Sequence, residues 1–432
     1  MSYPESLEFL YNLQWHGIRP GLERMEAMTA RLDAPHRRFP SVLIAGTNGK
    51  GSTAAMIEQV LREEGYRTGL YTSPHLIDFR ERIRIDGAMI PEEELSALTD
   101  EIRGAVMPAG AAFTCTFFEF TTALAFLYFA RRRVDIAVIE VGLGGRFDAT
   151  NVLAPLVSVI APIDLDHEAF LGDTIEKIAG EKAGIIKPKV PVIVGKQRPE
   201  ALGVIVDEAG GRGAPLVRFG VDFDVKGESP SSFVYRGRKT LRLSSPLRGH
   251  YQIENASLAA AALECLGRSG MEISTDAIVK GIRSVAWEGR LEIVQEEPLI
   301  LLDGAHNPAG AGALAEFLDS QKRERRSGRI ILVLGILRDK NIPEILRLLL
   351  PICDEVIFTR PDLPRAASPS ELAELAGFYP LAIFKRERVP EALAYALSRS
   401  TPRDLLCISG SLYTVGEAKA YFSGAALSPL RG

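Results

Sequence analysis

The sequence predicts an α/β protein of two domains. The first is an N-terminal, mostly parallel phosphate-loop sheet flanked by helices, with a small antiparallel patch. The second is a C-terminal Rossmann-like α/β domain. Three observations predict this. Apolar runs of strand length alternate with helical patterns from residue 40 to about 200. A glycine-rich turn, Gly46-Thr-Asn-Gly-Lys-Gly-Ser52, separates the first such run from a helical one. A second α/β series begins near Pro298, and a chain of 432 residues usually divides into more than one core.

In chain order, the strand candidates of the first sheet are 42–45, 68–72, 134–141, 156–161 and 191–195. A helix is expected over 117–131, and another from Ser52 to about Glu64 with Ala55, Ile57, Val60 and Leu61 inward. Residues 216–247 change character. Short alternating stretches, Phe219–Val225, Phe233–Tyr235 and Leu241–Leu243, predict the antiparallel patch. Helices follow at about Ile253–Leu266 and Thr275–Val285. The second series offers strands at 299–303, 330–335, 355–359 and 405–409. The expected division is 1–288 and 289–432, with Gly289-Arg290 as the hinge.

Composition narrows the function classes. Apolar residues make up 46% and charged residues 25%, with a net charge of −4, which offers no electrostatic footprint for nucleic acid or an anionic membrane. The basic runs Arg131-Arg132-Arg133 and Lys322-Arg-Glu-Arg-Arg326 each follow a helical pattern and read as cationic helix ends. Cys115, Cys265, Cys353 and Cys407 are far apart, without metal-ligand spacing, so a reduced, cytoplasmic setting is expected. The N-terminus lacks a basic segment followed by an apolar core, and no run of about 18 apolar residues exists. A monomer is the default expectation.

Four clusters carry chemistry. In the first, strand Val42–Ala45, the glycine turn and a helix start form a cradle for nucleotide phosphates. Lys50 is expected at the β- and γ-phosphates, and Ser52 at a magnesium ion. The loop departs from the common pattern. Only Thr47 and Asn48 separate Gly46 from Gly49-Lys50, and Gly51 intervenes before Ser52. In the second cluster, Glu140 ends an apolar strand and leads into Gly142-Leu-Gly-Gly-Arg-Phe-Asp148-Ala-Thr-Asn151. A carboxylate at a strand's carboxyl end beside a phosphate loop is a natural magnesium ligand. The third is Asp164-Leu-Asp166-His167, followed fifteen residues on by Lys182, which by itself reads as a surface residue. The fourth is Asp303-Gly-Ala-His306-Asn-Pro308, at a strand end in the second series. If both strand-end sets face one cleft, the reaction centre lies between the domains.

Together these motifs resemble the folylpolyglutamate synthase and dihydrofolate synthase family, relatives of the Mur ligases. The resemblance runs from Gly17–Arg24 through the Gly46–Ser52 loop, Tyr71–Leu76 with Glu81, Thr116–Glu119 and Glu140–Asn151. It continues through Leu165–His167, Glu181–Gly184, Asn255, Gly289-Arg290, Asp303–Pro308, Asp339-Lys340 and Gly410–Gly416. Gly51 suits the folate branch better than the Mur branch.

The resemblance implies ATP and magnesium, with two ions. Thr47, Asn48, Gly49, Lys50, Asn255, Arg290 and Asp303 match nucleotide contacts, and Ser73, Glu140 and His167 match magnesium positions. Ser73 thus competes with Ser52. Lys182 matches a carboxylated lysine. Ile18, Arg19, Pro20, Thr116, Phe117, Phe118, Glu119, Phe147, Asp148 and Ala149 match pterin-side contacts. His306 is expected to bind phosphate or aid proton transfer. The implied reaction adds L-glutamate to dihydropteroate, to tetrahydrofolate polyglutamates, or to both, through an acyl phosphate. A Mur-type ligase acting on a UDP-linked peptide and a non-catalytic ATP-driven switch are the alternatives.

Overall fold

The structure is a computed structural model and describes residues 1–13, 17, 20–106, 114–325 and 328–428. Its strands, in chain order, are β1 Ser41–Ala45, β2 Thr68–Tyr71, β3 Ile83–Ile85, β4 Ala88–Met89, β5 Ile136–Glu140, β6 Val157–Ile160, β7 Val192–Val194 and β8 Leu216–Arg218. These form one sheet in the order β4-β3-β2-β5-β1-β6-β7-β8. Six neighbouring strands are parallel, from β2 to β8, and β3 and β4 extend the edge antiparallel.

The first strand shows why apolar runs here are continuous rather than alternating. Val42 and Ile44 enter one core with Leu70, Val138 and Val159, under the helices Lys50–Glu63, Tyr251–Arg268 and Thr275–Ser284. Leu43 and Ala45 enter the opposite core with Tyr71, Ile139 and Ile160, under the helix Phe117–Arg132. Both faces are covered, so both sets must be apolar.

The strands β9 Asp224–Ser229, β10 Ser232–Arg236 and β11 Thr240–Leu243 make the separate antiparallel patch. Its first strand starts later than the sequence reading put it. Residues 219–223 turn instead of extending, with the Val221 and Asp222 amides both donating to Arg218 O. Leu216–Arg218, expected in the patch, joins the large sheet beside β7.

A six-stranded sheet follows, made of β12 Glu292–Gln295, β13 Leu299–Leu302, β14 Ile330–Leu334, β15 Glu355–Arg360, β16 Ala382–Arg388 and β17 Leu405–Ser409. The order is β12-β13-β17-β14-β15-β16, parallel except for β12. The two edge strands, β12 and β16, were not read from sequence. Edge strands carry charge, as Lys385-Arg-Glu-Arg388 does, and lose the apolar signature. The carboxyl ends of β13 and β14 lead into loops that meet those following β1 and β6. Among the described residues no helix is long and apolar enough to cross a membrane.

The helix Phe117–Arg132 is buried along much of its length, and Phe126 is fully enclosed between His36 and Phe39. Phe126→Ala is expected to cost about 3–5 kcal/mol, read as a lowered urea midpoint with unchanged slope.

Candidate active site

The loops meet around a cavity of about 320 Å³, lined by residues 46–52, Ser73, Glu140, Asp166, His167 and Lys182 on one side. Tyr251, Asn255, Arg290 and Asp303–His306 line the other. The first set belongs to the large sheet because β1 lies between β5 and β6. Ile44 pairs with Glu140, and Ala45 pairs with Ile160, so three strands end beside one another. Gly46, Glu140 and the Asp164–His167 loop thereby share a rim.

The helix after the phosphate loop begins at Lys50, two residues earlier than expected, with Gly49 as its N-cap at φ +84°. A Cβ at Gly49 would lie 2.3 Å from Asn255 Oδ1, so glycine admits both the left-handed backbone and the asparagine. Gly51 explains the odd spacing of the motif. A Cβ there would approach the Trp287 ring to 3.0 Å, so the extra glycine lets the hinge tryptophan pack against the first helical turn. Lys50 Nζ folds back on the Gly46 and Thr47 carbonyls, each at 3.1 Å. Thr47 Oγ1 donates to Asp164 O at 2.9 Å and so ties the loop to β6.

Lys182 corrects the surface reading. It is 5% exposed, and its Nζ donates to Gly46 O at 2.9 Å. Burial first, then the charge of Lys50, brings its amine down to about 7. Burial also pushes the Glu140 carboxyl up, against the opposing pull of Lys50, the Ser73 amide and Arg290. Among the described residues Glu140 accepts one hydrogen bond, from Ser73 N–H at 3.1 Å. A buried carboxylate so sparsely paired suits a cation. Among the described residues no group of three or more His, Cys, Asp or Glu is arranged to enclose a metal ion by itself. A lone buried carboxylate beside a phosphate loop fits magnesium, which takes one or two carboxylates and leaves its other positions to phosphate oxygens and water. Ser73 stands beside Glu140 through its amide, whereas the Ser52 hydroxyl accepts from Gln252 Nε2 at 3.3 Å.

His167 is held neutral, its ring brought down to about 4, first by burial and against the pull of Asp166. Its Nε2 lies 3.4 Å from Lys340 Nζ. His306 faces two acceptors: Nδ1 meets Gly304 O at 2.8 Å, and Nε2 meets Asp166 Oδ2 at 3.4 Å. Both partners are oxygen acceptors, and together they hold the ring at the rim of the cavity. Asp303 is buried and accepts from the Leu291 and Ala305 amides, both at 2.9 Å, which fixes the hinge beside Arg290.

The described residues expected on the pterin side stand near the Gly142–Gly145 turn and do not line this cavity. Phe118 lies over Gly142, Phe117 stacks on Tyr11 at 5.8 Å, and Phe147 is half-exposed. Thr116 caps its helix, and Glu119 closes a capping box while pairing with Arg24 at 2.8 Å. Asp148 caps the turn Ala149–Val152 and accepts from Leu143 N–H at 2.9 Å, so these carboxylates have structural duties. Pro20 is exposed, and Ile18 and Arg19 lie outside the described residues. Tyr251, Gln252 and Trp287 line or brace the site without any sequence signal. Asp166, Asn307 and Lys340 stood inside quoted motifs with no role attached.

Lys182 binds fewer protons folded than unfolded between pH about 7 and its ordinary value near 10.5, so its contribution to stability rises with pH across that window. In carbon-dioxide-free buffer, unfolding free energy is expected to gain about 1 kcal/mol or more from pH 7 to 9 relative to Lys182→Met, measured by urea denaturation.

Similarity to known proteins follows the same two parts. The Mur ligase middle domain family matches residues 44–263, and the Mur ligase, glutamate ligase domain family matches residues 289–412. A dihydrofolate synthase/folylpolyglutamate synthase of Bacillus subtilis (strain 168) is 37% identical over 429 residues, covering 97% of this chain and 98% of the relative. The structure of E. coli FolC in complex with DHPP and ADP has a TM-score of 0.88 at 34% identity, covering 98% of each chain. A bifunctional folylpolyglutamate synthase/dihydrofolate synthase of Yersinia pestis, complexed with AMPPNP and a Mn ion, has a TM-score of 0.87 at 32% identity, again covering 98% of each chain. With a likeness that spans both sheets and nearly the full length of each relative, the chain belongs to the folylpolyglutamate synthase/dihydrofolate synthase family of Mur ligases.

Proposed function

We propose that this chain is an ATP-dependent acid–amino-acid ligase that adds L-glutamate to dihydropteroate and to folate polyglutamates, releasing ADP and phosphate. One observation carries the reading: a phosphate loop, a buried carboxylate and a neutral histidine on one sheet face a second strand-end cluster across a single cavity. The proposed division of labour falls at residues 288/289, with the nucleotide and pterin side before it and the Rossmann-like part after it. The free, buried cysteines fit a reducing, cytoplasmic setting.

A carboxylate does not acylate an amine at neutral pH, because oxide would have to leave. In the proposed sequence an acceptor carboxylate oxygen bonds to the γ-phosphorus as the bond to ADP breaks. The glutamate nitrogen then attacks the acyl carbon, phosphate leaves with the electron pair of the C–O bond, and the amine loses a proton. Thr47, Asn48, Gly49 and Lys50 hold the phosphates through loop amides and one ammonium. Asn255, Arg290 and Asp303 hold the rest of the nucleotide. Ser73, Glu140 and His167 are the magnesium residues. When bound, magnesium offsets the negative charge of phosphates and acceptor carboxylate, which otherwise repel. His306 binds the transferring phosphate. The Thr116–Glu119 and Phe147–Ala149 wall, with Ile18–Pro20, receives the pterin side of the acceptor. Enclosure between the two parts keeps water from the acyl phosphate.

Lys182 is the proposed carboxylated lysine. An amine brought to about 7 by burial is substantially unprotonated at neutral pH, the form that adds carbon dioxide. The product is a carbamate, an anionic oxygen ligand for a second hard cation.

With ATP, magnesium and labelled glutamate, label is expected to enter a folate product only when dihydropteroate or a reduced folate is supplied. Lys50→Ala is expected to lose roughly a hundredfold or more of that turnover while its unfolding midpoint holds. ATP hydrolysis at full rate with neither acceptor nor glutamate would instead indicate the driven switch. Isotope-enriched bicarbonate is expected to give a carbamate carbonyl resonance in the wild type that is absent from Lys182→Met.

A further inference from the structure

The loop after β6 and the second sheet are joined through a side chain that the proposed reaction does not use. Asp166 is buried, and its Oδ1 accepts from Lys340 Nζ at 2.6 Å. Its Oδ2 accepts from Asn307 Nδ2 at 3.2 Å and faces His306 Nε2 at 3.4 Å. All three partners come from the loops after β13 and β14. Asn307 also exchanges amide hydrogen bonds with Asn48 of the phosphate loop, at 3.1 and 3.3 Å. The Lys340 side chain is 5% exposed, so its ammonium is taken out of water against this carboxylate.

We propose that Asp166 is a positioning residue that clamps His306 and Lys340 of the C-terminal part against the phosphate loop. Approach of the two sheets and alignment of the His306 ring and the Lys340 ammonium then become one event. The proposal rests on the ligase reading for its kinetic consequence, but the clamp itself is a statement about distance. The physical logic is asymmetric. Removing the carboxylate leaves the buried Lys340 ammonium without its anionic partner and His306 Nε2 without its acceptor, so closure loses its support. Asn at this position keeps the shape and the Asn307 contact while removing the charge.

Two measurements test it. Spin labels introduced as Asp173→Cys and Arg347→Cys, both exposed and in different parts of the chain, report the separation of the two sheets. The native cysteines are all buried. Asp166→Asn is expected to lengthen or broaden the label-to-label distance, and Lys340→Met, which breaks one of the three contacts to Asp166, to do so less. The same distance distribution in Asp166→Asn and the parent would overturn the clamp, whatever the protein's activity. In steady-state ligation, Asp166→Asn is expected to lower kcat about tenfold or more while the KM for ATP moves less than about threefold. The double variant with Lys340→Met is expected to lose no more than the larger single loss. Unchanged kcat, a proportional rise in the KM for ATP, or additive losses would each overturn the positioning role. Absence of ligation in the parent, with the distance change intact, would remove the ligase reading and leave the clamp.

Discussion

The placement of β1 between β5 and β6 is the constraint on which the site depends. Parallel pairing fixes the register, and the register makes three strands run out together. The phosphate loop, Glu140 and the Asp164–His167 segment are not near one another in sequence. They share a rim because β1 pairs in this register with β5 and β6, while apolar side chains fill a core on each face. Chemistry is thus placed by burial of side chains that take no part in it.

Charge in the cleft is arranged around that rim. The Lys50 and Lys340 ammonium groups and the Arg290 guanidinium stand among the buried carboxylates Glu140, Asp166 and Asp303. The carboxylates divide by surroundings. Asp166 is held ionised by its basic neighbours, whereas burial raises Glu140 and Asp303. Glu140 therefore gains most from a metal ion, and Asp303 is satisfied by two backbone amides.

Much of this was legible in the sequence, and the failures have physical causes. Central strands buried on both faces announce themselves, so 42–45, 134–141 and 405–409 were placed to within two residues. Edge strands such as Ala382–Arg388 answer to solvent as much as to pairing and were missed. The phosphate loop, Glu140 and Asp303 were visible because strand-end position is a sequence property. Lys182 was not, since helical periodicity says which face a residue occupies but not what covers it. The Lys340 contact with Asp166 was hidden for a related reason: it spans 174 residues and depends on how two sheets meet.

The contact of Gly51 with Trp287 has a spectroscopic side. Trp287 is one of two tryptophans in the sequence, sits just before the hinge, and carries Arg84 over its ring at 6.0 Å. The glycine that spoils the common motif places an indole against the turn that presents Lys50. Any shift of that turn relative to the segment leading to the second sheet alters the chromophore's surroundings, so the protein carries its own optical gauge of the joint.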